Sequence, residues 1–147
     1  CGVPVGAFLM TEKVGQHSLT AGDHGTTYGG NPLACAAVAK VLELFEENNI
    51  LEHVQEVSAY LEEKLDSLAA KYDFITDRRG MGLMQGLVFD RPVAPVINAA
   101  LENGLILINA GINIIRFVPP LVITDADVDE MIEILDSCLK TFQEQNA

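Results

Sequence analysis

The chain has 147 residues, 49% of them hydrophobic, which is enough for one ordinary domain with a buried core. Nine Lys and Arg against 21 Asp and Glu leave a net charge of −12, which repels phosphate backbones and anionic lipid surfaces and argues against nucleic acid as a partner. No run of about 18 apolar residues and no charged-then-apolar leader is present, so neither a membrane span nor a signal segment is expected and the reading is a soluble protein.

The chain opens on Cys1, inside the apolar, glycine-bearing run Cys1-Gly-Val-Pro-Val-Gly-Ala-Phe-Leu-Met10. That reads as the interior of a longer polypeptide; the lesser alternative is a lipoprotein start, which a polar tether would normally follow. Val3 to Met10, rich in Val, Phe and Leu, predicts a buried strand. From Thr11 to Asn31 five glycines and no sustained period mark a long functional loop. Asn31-Pro32 is a capped helix start, and the helix runs to about Glu47, its apolar first half expected to be sunk between layers. A second helix, about Ile50 to Tyr72, is expected to be capped by Asn49, to bury Leu51, Val54, Val57, Leu61, Leu65 and Leu68, and to expose the charged face of Glu56, Glu62, Glu63, Asp66 and Lys71.

Phe74 to Thr76 and Leu83 to Phe89 read as strands around a bend at Arg79-Gly-Met-Gly82. A third helix, about Val93 to Asn103, packs through Val96, Ile97, Ala100 and Leu101 and stops at Gly104. Leu105 to Ile108 and Ile114 to Val118 form a hairpin whose turn uses Gly111. Thr124 with Asp127 starts the last helix, striped by Val128, Met131, Ile132, Leu135, Leu139 and Phe142. The expected division is 1–72, strand, loop and long helices, and 73–147, about four strands backed by two helices. Cys1, Cys35 and Cys138 are odd in number and widely spaced, so they read as reduced core residues of a cytosolic protein. His17, His24 and His53 lack metal-ligand spacing, His53 reads as a surface residue, and no metal is expected.

Two constellations carry chemistry. In His24-Gly-Thr-Thr-Tyr-Gly-Gly-Asn-Pro32, the hydroxyls of Thr26 and Thr27 lie among glycines before a helix start, which suits an anionic oxygen group such as phosphate; a tight loop in which the threonines satisfy backbone groups fits equally well. In Ile114-Ile-Arg-Phe-Val-Pro-Pro-Leu121, Arg116 is the lone charge on a strand expected to be buried, so it needs an anion: a structural carboxylate, or the carboxylate of a substrate gripped bidentately.

Five motifs in order then become specific: Gly2-Val-Pro-Val-Gly-Ala7, His24 to Ala34, Arg79-Gly-Met-Gly-Leu-Met84, Asn103-Gly-Leu105 and Ile115-Arg-Phe-Val-Pro-Pro-Leu121. Together they resemble the class III aminotransferases of fold type I, closest to the acetylornithine aminotransferases. The resemblance implies an α/β fragment, with residues 1–72 ending the large domain that binds pyridoxal 5'-phosphate (PLP) and 73–147 forming the small C-terminal α+β domain. It implies a cytoplasmic homodimer whose active site is shared between subunits. Thr27 would donate to the cofactor phosphate bound chiefly by the neighbouring subunit, Thr26 would lie beside the substrate, and Arg116 would bind the carboxylate of the amino donor or of 2-oxoglutarate. The Arg79-Gly-Met-Gly82 loop would place the small domain near the substrate entrance, with Arg79 itself mostly structural.

By the same resemblance the Schiff-base lysine lies upstream of Cys1, neither Lys13 nor Lys40 matches its position, and the isolated chain is expected to be inactive. The implied reaction moves an amino group from N-acetylornithine to 2-oxoglutarate in arginine biosynthesis. The rivals are class III members acting on ornithine, 4-aminobutyrate or succinylornithine, and a non-catalytic binding or dimerisation module that keeps Arg116 as an anion site.

Overall fold

A computed structural model describes residues 2–145, so the expectation for Cys1 lies outside the described residues. Two compact units meet at the Asn49–Ile50 junction rather than near residue 72. The physical reason is the second long helix, whose apolar stripe is spent on the core of the second unit.

In the first unit, Val3 to Met10 is not a strand: it pairs with no described segment, and Pro4 to Met10 are exposed. A strand is stable only when its N–H and C=O groups find a ladder, and none is present. One helical turn, α1 (Glu12–Gly15), interrupts the long loop. Helix α2 (Pro32–Glu47) has the expected bounds, with Pro32 in its first turn. Asn31 closes its start: Oδ1 accepts from the Ala34 N–H over 2.9 Å while Nδ2 donates to the Tyr28 carbonyl over 2.8 Å. None of the residues of α2 is buried, contrary to the expectation that it is sunk between layers, and Cys35 is exposed rather than a core residue.

In the second unit, α3 (Ile50–Lys71) buries Ile50, Val57, Ser58, Leu61, Leu65 and Leu68. Leu51, expected inside, is 65% exposed. Asn49 takes a left-handed φ of 49° instead of the extended conformation of an N-cap, and so marks the break between α2 and α3. Strands β1 (Ile75–Met81) and β2 (Met84–Phe89) form a hairpin that runs through Arg79-Gly-Met, so the turn lies at Gly82-Leu83 and the expected bend is shifted into the strand. Helix α4 (Ala94–Glu102) buries Val96 and Ala100, leaves Leu101 exposed, and ends before Gly104 at φ 86°. Strands β3 (Ile108–Asn109) and β4 (Ile114–Phe117) make the expected hairpin, with Gly111 at φ 72°, although β3 is only two residues long.

The sheet order is β1-β2-β4-β3 and every pairing is antiparallel. Helix α5 (Asp125–Gln145) buries Val128, Leu135, Cys138, Leu139 and Phe142. Helix α3 packs on β1 and β2 and helix α4 on β3, while α5 packs on α3 and α4. Phe74 is the aromatic hub of this core, stacked at 5.8 Å on Phe89 and edge-on at 5.4 Å to Phe142. Among the described residues no helix is long and apolar enough to cross a membrane.

Candidate functional site

The glycine-rich loop is held by local backbone bonds. Gly29 N–H donates to the Thr26 carbonyl over 3.2 Å, and the Asn31 N–H to the Tyr28 carbonyl over 3.3 Å, so the segment is two overlapping turns leading into α2. Gly29 fits tightly, since a Cβ there would lie 3.0 Å from the Thr26 hydroxyl. Both Thr26 and Thr27 are exposed, and among the described residues no hydrogen bond engages either hydroxyl. The alternative in which they satisfy backbone groups of the loop is therefore not what the structure contains. Within this unit the loop, the extended Pro4 to Ala7 segment and one side of α2 enclose a groove of about 890 Å³, with Val5, His24, Thr26, Tyr28 and Val38 among its walls. Thr27 is not part of that lining, so the two neighbouring hydroxyls face different surroundings. The His24 ring meets Phe8 edge-on at 5.3 Å.

Arg116 stands near the middle of β4 but is exposed, not buried. The period of two explains the difference: Ile115 and Phe117 point into the core, so the residue between them points to the face away from the helices. The expected cost of a buried charge does not arise. The structural carboxylate does not appear either. Arg78, Arg79 and Arg91 all have ion pairs, whereas among the described residues Arg116 has none. A cavity of about 350 Å³ lies beside it, walled by Leu61, Leu107, Phe117 and Met131. Asp127 also borders that cavity, but its carboxylate accepts from the Thr124 N–H at 2.7 Å and from the Thr124 hydroxyl at 2.8 Å. Those two bonds, the backbone one first, hold the Asp127 carboxyl below its ordinary range.

The structure places Thr26 and Thr27 on one unit and Arg116 on the other. One further residue matters that the sequence reading passed over. Gln85 is 1% exposed and fully used: Nε2 donates to Glu62 Oε1 at 3.0 Å and to the Gly82 carbonyl at 2.7 Å, and Oε1 accepts from Arg78 Nη1 at 3.0 Å. Its signal was its parity with the inward Leu87 and Phe89. Arg78 in turn pairs with Asp66, which raises its pKa, and with Glu62, so the charged flank of α3 is a docking surface for the hairpin rather than a plain solvated face. His53, read as a surface residue, donates from Nε2 to the Ile123 carbonyl over 2.8 Å and ties α3 to the approach to α5. Among the described residues no cluster of His, Cys, Asp and Glu could hold a metal ion.

Residues 1–139 match the model of the class-III aminotransferases, and the chain belongs to that family. It is 44% identical over 140 residues to the acetylornithine aminotransferase of Clostridium acetobutylicum, covering 95% of this chain and 36% of that protein. Its structure superposes on the acetylornithine aminotransferase of Elizabethkingia anophelis with a TM-score of 0.74 at 31% identity, covering 82% of this chain and 31% of that one. On the ornithine delta-aminotransferase of Plasmodium falciparum the TM-score is 0.79 at 31% identity, covering 86% and 33%. The chain thus spans about a third of the length of the relatives it matches.

Proposed function

We propose that this chain is the C-terminal part of a PLP-dependent aminotransferase that moves an amino group from N-acetylornithine to 2-oxoglutarate, a reaction of arginine biosynthesis. In this reading the residues up to Asn49 belong to the cofactor-binding domain and the sheet with its helices is the small domain. The assembly is a cytoplasmic homodimer with a shared active site. The observation that carries the reading is the open guanidinium of Arg116: in a chain with 21 acidic residues it is the one arginine without an ion pair among the described residues. A planar, permanently charged fork on a rigid strand suits a substrate carboxylate, which it can engage by two parallel hydrogen bonds.

The residues present fit a supporting contact to the cofactor phosphate. Thr27 offers an exposed hydroxyl that no hydrogen bond among the described residues engages, and it follows Gly25 and precedes Gly29-Gly30, where backbone can come close to an anion. One hydroxyl does not neutralise a phosphate, so its main grip lies outside these loop residues, in keeping with a site completed by a neighbouring subunit. When bound, PLP supplies the electron sink that lets an amino group pass between donor and acceptor. This chain's residues bind and orient: Arg116 fixes the substrate by its carboxylate, Thr26 borders the substrate, and Thr27 anchors the phosphate end. None of its lysines stands where the family resemblance sets the reactive amine, so the isolated chain does not turn over.

The test is an assay of the full-length polypeptide with 2-oxoglutarate and four donors, N-acetylornithine, ornithine, 4-aminobutyrate and succinylornithine. The expected result is a kcat/KM for N-acetylornithine at least about tenfold above the others, roughly 1.4 kcal/mol of transition-state discrimination. A preference of that size for another donor would reassign the substrate, and no turnover with any of them would make the protein a binding module.

A further inference from the structure

The register of the sheet sets Arg79 of β1, Gly86 of β2, Arg116 of β4 and Ile108 of β3 in one cross-strand row. Directly paired residues of antiparallel strands point to the same face, so Arg79 shares the bare face of the sheet with Arg116. Between them stands Gly86, which has no side chain to come between the two guanidiniums. Two strand spacings separate the backbones by roughly 10 Å, comparable with the Debye length at physiological salt. The neighbouring Arg78 points the other way, into the network of Asp66, Glu62 and Gln85. The adjacent arginines are thus divided between the two faces, one committed to holding the hairpin and one not.

Resting on the reading of Arg116 as a carboxylate grip, we propose that Arg79 is the second cation of this face and draws dicarboxylate substrates toward Arg116. The resemblance makes Arg79 mostly structural, but its contacts do not support that role. It is bonded to Asp77, two residues away on its own strand, at 3.1 Å, and the side chains of Arg79 and Asp77 are 61% and 53% exposed. An exposed pair of that kind holds little together and leaves the guanidinium free to turn to an incoming anion. The other members of these rows on the bare face, Met81, Met84, Val88, Ile114 and Ile108, carry no charge, so among the described residues Asp77 is the only acid that the register sets beside the two arginines. On a chain of net charge −12 the result is a local positive island, the kind of field that concentrates an anion before contact.

The experiment titrates the isotopically labelled 147-residue chain with glutarate and follows the arginine Nε–Hε signals. The expected result is that the signals of Arg79 and Arg116 shift together with one dissociation constant, that R79Q weakens binding about fivefold and flattens its salt dependence, and that R79K retains most of the affinity by keeping the charge. If R79Q leaves both affinity and salt dependence unchanged while R116Q abolishes binding, Arg79 has no such role and the proposed function stands. If R116Q leaves binding unchanged, or glutarate moves neither signal, the reading of Arg116 fails and this inference fails with it.

Discussion

Gly80 lies so close to Met84 that a Cβ on it would sit 2.3 Å from the Met84 carbonyl oxygen and 2.6 Å from Gln85 Oε1. Its φ of 150° lies outside the range that side-chain-bearing residues adopt readily. The hairpin that carries Arg79 therefore closes only over a glycine. Gly80→Ala is expected to destabilise the second unit by about 2 kcal/mol or more, through steric conflict with backbone and displacement of Gln85 from its three partners. Urea unfolding of the two proteins checks this, and an unchanged midpoint would contradict it.

The two units should respond oppositely to the loss of a leucine. Leu65 is fully buried in the core of α3, whereas Leu42 on α2 is 61% exposed. Leu65→Ala should cost roughly 2–5 kcal/mol, while Leu42→Ala should stay within about 0.5 kcal/mol. Equal losses in denaturant titrations would mean that α2 is packed more deeply than the structure shows.

Acid should weaken the second unit through particular carboxylates. Asp129 accepts from Lys64 at 2.7 Å and from the Tyr60 hydroxyl at 2.9 Å, and these bonds, Lys64 first, hold its carboxyl below the ordinary range. Asp127 is lowered in the same direction by the Thr124 N–H and hydroxyl. A carboxylate lowered in the folded state binds fewer protons there than in the unfolded chain, so its stabilisation is complete above the unfolded value of about 3.9 and is lost as pH falls through the folded value. The Tm should therefore hold between about pH 7 and 5 and drop below about pH 4, and Asp129→Asn should lower Tm at neutral pH but converge on the parent protein near pH 2. A gap that stayed constant down to that pH would contradict the assignment.

The sequence was most legible where the signal is local. Asn31-Pro32, the Thr124 to Asp127 cap and Gly111 were all readable because each satisfies its own backbone within a few residues. What failed depends on partners far along the chain. Val3 to Met10 has strand composition but no ladder, and Leu51 and Leu101 have apolar side chains at positions that the packing leaves outside. The Arg79-Gly-Met bend became strand because β2 pairs through to Met84, which no local rule announces. For the candidate site, Thr26, Thr27 and Arg116 came from motif and type, but the apolar run around Arg116 hid the alternation that turns it outward. The bond from Gln85 to Glu62 and the bond that takes His53 off the free surface were not readable, because those partners lie 23 and 70 residues away.

The central claim is tested most directly by the kinetics of Arg116→Gln in the full-length protein, with 2-oxoglutarate as the varied substrate. Removing a charged, two-bond grip should lower kcat/KM on the order of 100-fold, while the thermal stability of this solvent-facing variant stays close to that of the parent. A kcat/KM that is unchanged in a properly folded variant would contradict the account.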